Sequence, residues 1–318
     1  MTRSDLAEAA FKGYKAIAEI GNAAAQLCLA DCLKFGFGTP VNQEEAVAWY
    51  RQSAENGNAE AQFQLALCYS SGSGIVQENR QATKWYHEAA TSGHVVAQYN
   101  LAVRYEDGNG IKKNLIKAEE WYRAAADQNY RDAQFALASL LGQVRPDDTQ
   151  IEYWYRRAAA NGQISAMYNL AIYYDERANV DGAQHWYSKA AGLGHLDARY
   201  NLGLLYETRG NSKKAFNEYL KAAKQGHSDA ACSAGCYYAD GIDMPIDSTK
   251  AVYWFRLAAD SGSPKAQYNL GRCYENGRGV VQDNFISHQW YLLAAINGDK
   301  KALSKLTTTA INLALDSH

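Results

Sequence analysis

Apolar and small residues fall at helical spacing along nearly the whole chain. Counted from the glycine that opens each repeat, the first segment is apolar at i, i+4 and i+8. One copy reads Ala97, Leu101 with Ala102, and Tyr105; another reads Ala266, Leu270 with Gly271, and Tyr274. This spacing predicts an amphipathic helix, with a large apolar residue beside a small one where a second helix comes close. We term it helix A. Glycine pairs follow it at Gly36/Gly38, Gly72/Gly74, Gly108/Gly110 and Gly277/Gly279, supplying the positive φ of a helix C-cap and turn. The next helix, B, opens on a capping side chain at Asn42, Asn114, Asp247 and Asp283. It stops at a second glycine, replaced once by Asn129, the other residue that tolerates the left-handed conformation.

Helix B carries a recurrent phrase: Trp-Tyr, two small residues, then the closing glycine. It appears as Trp49-Tyr50, Ser53-Ala54 and Gly57, and returns from Trp85, Trp121, Trp154, Trp186, Tyr219, Trp254 and Trp290. All seven tryptophans of the chain lie at this one position, which predicts that they fill the space between helices as core. Successive copies start 36 residues apart, then 33 and 32, a period that marks a solenoid whose repeats bury their apolar faces only by stacking. The middle copies are shorter, and the lost residues fall between their helices, at 145–148, 177–180 and 209–212. The expected fold is therefore all-α, an α/α superhelical solenoid of helix–turn–helix repeats. Residues 1–20 form an N-terminal capping helix, and eight repeats run over 21–298, starting at residues 21, 57, 93, 129, 162, 194, 226 and 262. Residues 299–318 form a C-terminal capping helix and tail, with the polar run Thr307-Thr308-Thr309.

Charge and composition narrow the function. A chain of 318 residues with a net charge of −2 and a pI near 6.4 has no overall pull toward nucleic acid or an anionic membrane. No run of eighteen apolar residues exists, and Met1-Thr2-Arg3-Ser4-Asp5 leads into no apolar signal segment, so no membrane insertion and a cytoplasmic location are expected. The six cysteines, Cys28, Cys32, Cys68, Cys232, Cys236 and Cys273, all fall in A helices, and the expectation is reduced, mostly buried thiols. No phosphate loop, zinc-protease helix or nucleophile elbow is present. His94, His195 and His227 each follow a closing glycine and are read as turn residues. No catalytic residue, metal ligand or cofactor is expected.

The full pattern, best seen over Ala266–Gly298, resembles the Sel-1-like repeat family, itself similar to tetratricopeptide repeats. The resemblance covers Gly21 to Gly298 and implies a superhelix with helix A lining a concave groove. Such proteins mostly assemble other proteins, in bacteria often in host-interaction, envelope or signalling roles. It thus implies a non-enzymatic scaffold or adaptor that binds a protein segment in the groove. The alternatives are a secreted effector, exported without a cleaved leader, or a toxin-neutralising inhibitor, each using the same groove. The remaining alternative is a β-lactam-binding hydrolase, since a cysteine-rich subgroup of the family staples its repeats with disulfides and binds or hydrolyses β-lactams; no cysteine lies in helix B here, so the resemblance to that subgroup is weak and no catalytic residue carries over.

By analogy with tetratricopeptide repeats, the groove-facing positions are Leu27 and Cys232 together with the aromatic residues Phe63, Tyr99, Phe135, Tyr168, Tyr200 and Tyr268. They either contact a partner or pack between helices. Acids near the ends of the A helices pose a second question, since carboxylates are disfavoured at the negative pole of a helix. Glu106, Asp107, Asp175, Glu176, Glu207, Asp240 and Glu275 either serve local turns or form an acidic rim that steers a basic segment of a protein partner.

Overall fold

The computed structural model describes residues 3–306, so the Thr307–Thr309 run lies outside the described residues. Contacts divide the chain into two compact units, residues 1–163 and 164–318. Unit one holds α1 (Arg3–Glu19), α2 (Ala23–Phe35), α3 (Gln43–Glu55), α4 (Ala59–Ser71), α5 (Asn79–Thr91), α6 (Val95–Asp107), α7 (Leu115–Asp127), α8 (Arg131–Val144) and α9 (Gln150–Ala160). Unit two holds α10 (Ile164–Glu176), α11 (Val180–Gly192), α12 (Leu196–Thr208), α13 (Ser212–Ala223), α14 (Ser228–Asp240), α15 (Ser248–Asp260), α16 (Pro264–Asn276) and α17 (Asn284–Ile296). A further helical segment follows over residues 300–306, and the described residues contain no strand. Within each unit every helix packs on the one before it and the one after it. Repeats 1–4 are the hairpins α2–α3 to α8–α9, and repeats 5–8 are α10–α11 to α16–α17.

The expected caps form. Asn42, Asn114, Asp247 and Asp283 accept backbone N–H bonds from the first turn of their B helices, and Asn129 adopts φ 65° in place of the closing glycine. In the longer loops the second glycine is needed for close approach as well as for its positive φ. A Cβ on Gly74 would collide with the Gln43 carbonyl at the start of α3. The inter-helix loop of one repeat thus lies against the helix B backbone of the repeat before it.

The core departs from the sequence reading in one respect. Tyrosine, not tryptophan, takes the deepest place: Tyr50, Tyr122, Tyr187, Tyr219 and Tyr291 are among the largest side chains with under 2 % exposure. Trp49, Trp85, Trp121 and Trp290 are only partly buried, whereas Trp154, Trp186 and Trp254 are buried. Helical geometry gives the reason. Ala46, Tyr50 and Ala54 share one stripe at i, i+4 spacing, and Trp49 lies about 100° around the helix from it. Burying a ring of this size is worth at most about 4–6 kcal/mol.

A row of buried glutamines joins successive repeats. Gln26, Gln62, Gln98, Gln134 and Gln267 each donate, at 3.2 Å, to the carbonyl of Ala18, Ala54, Ala90, Ala126 and Ala259 respectively. Those carbonyls lie at helix C-terminal ends, where the last turn leaves acceptors without intrahelical partners. In repeat 6 Arg199 replaces the glutamine and donates to Ala191.

Candidate functional site

The six aromatic positions are all partly buried. In unit one Phe63, Tyr99 and Phe135 lean on the helix B tyrosines Tyr86, Tyr122 and Tyr155, with centroids 5.7–6.0 Å apart. In unit two Tyr168, Tyr200 and Tyr268 lean on Tyr187, Tyr219 and Tyr291 at 5.5–6.1 Å. The rings are therefore held in place by the repeat itself.

Three of them also carry a stacked histidine, which the sequence reading treats only as a turn residue. His94, His195 and His227 cap α6, α12 and α14, their Nδ1 accepting from Ala97, Ala198 and Ala230 at 3.1–3.2 Å. Their rings stack on Phe63, Tyr168 and Tyr200 at 4.4–4.9 Å. On the far side Nε2 of His94 meets Glu60 at 3.0 Å, and that of His227 meets Asp197 at 3.1 Å. Asn22 and Asn58, the N-caps of α2 and α4, occupy the same place in their repeats, and that equivalence was the available signal.

The acids at the ends of the A helices have a structural partner. Tyr122 donates its hydroxyl to Glu106 at 2.6 Å, Tyr219 to Glu207 at 2.7 Å, Tyr291 to Glu275 at 2.7 Å and Tyr187 to Asp175 at 3.4 Å. A buried phenol needs a hydrogen-bond partner, and an ionised acceptor makes the stronger kind of bond. Burial, together with the facing carboxylate, pushes the phenols of Tyr122, Tyr219 and Tyr291 far up, so they stay neutral donors. Tyr237 also donates to Glu207, at 3.3 Å, and burial with that carboxylate lifts it to about 12. Burial works against ionisation of Glu275, but the Tyr291 hydroxyl and the Lys305 ammonium hold its carboxyl below the usual value. Asp107, Asp175, Glu176, Glu207 and Asp240 are exposed, and Glu106 and Glu275 are partly buried; Asp107, Glu176 and Asp240 hold no tyrosine hydroxyl among the described residues.

Repeats without an acid at this position compensate elsewhere. In repeat 1 the position is Lys34, and Tyr50 donates instead to Asp31, one turn back, at 2.5 Å. In repeat 4 it is Gly142, and Ser139 meets the Tyr155 hydroxyl at 3.1 Å. In repeat 2 the Tyr86 oxygen faces Ser70 and the Arg104 guanidinium as donors, and Arg104 also donates to Ser70 at 2.7 Å. In repeat 7 the acid is replaced by Ala239 and the tyrosine by Phe255, so both halves of the pair are missing together.

The cysteines are free thiols; Cys32, Cys68, Cys232 and Cys273 are buried, and Cys28 and Cys236 are partly exposed. Among the described residues no group of three or more His, Cys, Asp or Glu could hold a metal ion, and no helix is long and apolar enough to cross a membrane.

Stacked antiparallel helix pairs with this period, capped by glycine and joined through helix B aromatics, define the tetratricopeptide-like class of repeat protein. The Sel1 repeat model matches eight times, over residues 22–58, 59–94, 95–130, 131–163, 164–195, 196–227, 228–263 and 264–299, and the chain belongs to the Sel1 repeat family. No curated protein matches the chain significantly. Among solved structures it is similar to a Sel1 repeat protein from Oxalobacter formigenes (TM-score 0.79, 27% identity, 93% of this chain and 89% of that one). It is also similar to c5321, a protective antigen of uropathogenic Escherichia coli strains with an SLR fold (TM-score 0.77, 29% identity, 94% of this chain and 70% of that one). Yeast Tom70 shares the fold alone, at TM-score 0.50 and 12% identity over 92% of this chain and 65% of that one. Repeats of this type commonly mediate protein–protein interaction.

Proposed function

We propose that the protein is a non-enzymatic scaffold that binds a segment of another protein on the A-helix faces of its repeats. The observation that carries this reading is the recurrence of a partly exposed aromatic ring, braced from behind, at one position of helix A. Phe63, Tyr99 and Phe135 offer it in unit one, and Tyr168, Tyr200 and Tyr268 in unit two. A ring already fixed by its neighbours loses little entropy when a partner covers it, the property that makes aromatic residues strong contacts at interfaces.

The exposed acids Asp107, Glu176 and Asp240 act, on this reading, as a steering charge for a basic partner segment. Glu106 in unit one, and Asp175, Glu207 and Glu275 in unit two, also hold tyrosine hydroxyls. Exposed charges act mainly on the association rate and are screened by salt. The test uses the full chain and a protein captured by it. Replacing Tyr99, Tyr168 and Tyr200 by alanine should abolish capture while the circular dichroism and melting profile stay helical and cooperative. Replacing Asp107 and Glu176 by amides should slow association and flatten its salt dependence. Capture unchanged by both sets would defeat the proposal.

A further inference from the structure

Loss of both members of the tyrosine–acid pair in repeat 7 leaves a cleft. It has a volume of about 60 Å³ and is lined by Ala239 and Phe255, the two replaced residues, with Cys236, Asp240, Asn269, Arg272, Cys273 and Arg278 around them. In repeats 6 and 8 the corresponding space holds a phenol oxygen and a carboxylate. Here its polar lining is two thiols, two amides, the Ser248 hydroxyl, the Asp240 carboxylate and two guanidinium groups, so cations outnumber acids two to one, and neither Arg272 nor Arg278 makes an ion pair among the described residues.

We propose that this cleft is a modification site at which Cys236 reacts with a small disulfide carrying a carboxylate, Arg272 and Arg278 holding the carboxylate and the new side chain remaining attached to Cys236. The proposal is independent of the scaffold reading.

Three features select Cys236 from the six thiols. It is one of two that are partly exposed, and it lines the cleft. Asn269 directs its amide N–H₂ at both sulfurs of the pair, 3.7 Å from Cys236 Sγ and 3.8 Å from Cys232 Sγ. The surroundings pull its pKa down: the Cys232 sulfur one turn back and the cations Lys265 and Arg272 on α16 favour a thiolate, against burial and the acid Asp240 on its own helix. None of the competing thiols combines all three. Burial and Asp31 push Cys28 up, burial pushes Cys273 up to about 11, and the neighbouring Cys236 sulfur together with burial drives Cys232 up as well.

The chemistry balances as a thiol–disulfide exchange. The Cys236 thiolate attacks one sulfur of the incoming disulfide, the S–S bond of that compound breaks, and its other half leaves as a thiolate carrying the electron pair. The disulfide is the oxidant. Cys232 does not resolve the adduct. Helix neighbours at i, i+4 hold their Cβ atoms about 5–6 Å apart, whereas a disulfide requires roughly 3.5–4.5 Å.

The test treats the full-length native protein with a limiting amount of dithiobis(nitrobenzoate), a dianionic disulfide, and in parallel with cystamine, a dication. One thiol should react in a distinct fast phase with the anion, and peptide mass mapping should place the adduct on Cys236. The fast phase should be slower with cystamine, after correction for the two reagents' rates with a free thiol. Cys236→Ser should remove that phase. Arg272→Gln should slow it about fivefold with the anion and leave cystamine little changed. Mapping on wild-type protein needs no variant, so misfolding of either variant would not rescue the proposal. Labelling spread over several cysteines, labelling of Cys28 first, no preference for the anion, or a product two hydrogens lighter with no adduct would each overturn it.

Discussion

Repeats 6 and 7 are consecutive hairpins of one unit, built on the same backbone plan, yet one pairs a phenol with a carboxylate and the other has neither. In repeat 6 the Tyr219 ring lies over Gly203 and donates to Glu207. In repeat 7 the Phe255 ring lies over Gly235 in the same way and faces Ala239. The backbone and the aromatic ring suffice for the hairpin. The acid at the end of helix A is a consequence of the hydroxyl: where the phenol is present a polar partner is present, and where the phenol is gone the acid is gone. This accounts for Glu106, Asp175, Glu207 and Glu275 at the carbonyl ends of their helices. A hydrogen bond from a buried phenol to a charged acceptor is worth about 1.5–3 kcal/mol, more than the roughly 0.3–1 kcal/mol cost of a misplaced charge.

The comparison can be broken most sharply at Glu207. Glu207→Ala leaves the hydroxyls of Tyr219 and Tyr237 without their acceptor and should destabilise repeat 6 by about 2–4 kcal/mol. Urea unfolding, with hydrogen exchange to localise the loss, would measure this. In a Tyr219→Phe background the same change should cost much less, and equal costs in both backgrounds would show that the acid acts on something other than the hydroxyl.

The reverse experiment rebuilds the pair in repeat 7. Ala239→Glu and Phe255→Tyr should each destabilise alone, the first by placing a carboxylate at the negative helix end and the second by burying an unpaired hydroxyl. Together they should recover a coupling of about 1.5–3 kcal/mol in a double-mutant cycle. The double variant also fills the cleft, so the fast thiol phase of Cys236 should slow with it.

A smaller effect concerns the residue beneath the ring. Unit one has Ala30, Ala66, Ala102 and Ala138 at this place, and unit two has Ala171 followed by Gly203, Gly235 and Gly271. A Cβ on Gly235 would approach the Phe255 ring to 2.6 Å. Gly235→Ala should therefore lose roughly 1–3 kcal/mol to overpacking and regain about 1 kcal/mol of helix propensity, a small net destabilisation. A clear gain in the melting midpoint would mean that the ring moves aside freely.

The smallest expected effect is a pH dependence in repeat 8. The Glu275 carboxyl is held below its ordinary value, so its contribution to stability is complete above the unfolded value of 4.5 and is lost as pH falls below that toward the folded value. Lys305→Gln should raise the Glu275 midpoint toward the ordinary value, read by carbon-detected NMR titration. No movement would assign the depression to the Tyr291 hydroxyl and the Arg272 charge.

Much of this molecule was legible in the sequence. The glycine caps, the Asn129 exception and the helical register follow from local chemistry: positive φ is open to few residue types, and apolar residues must share one helix face. The histidine N-caps and the buried glutamines were not recognised, although Asn22, Asn58, His94, His195 and His227 occupy one repeat position. Capping by a ring nitrogen looks unlike capping by an amide until the backbone N–H of Ala97 is seen to point at it. Tryptophan drew attention because it is rare, yet helix geometry places its neighbour on the buried stripe.

What the sequence determined alone, then, is the period, the helix boundaries and the family, because these depend on residues near one another along the chain. What only the tertiary structure decided is the purpose of the polar groups. Glu106 and Tyr122 are sixteen residues apart, Gln98 and the Ala90 carbonyl lie across a turn, and Cys236, Asn269 and Arg272 come from two successive A helices. A hydrogen bond between such groups depends on distances fixed by packing, and a cleft left by two absent side chains has no residue of its own to mark it.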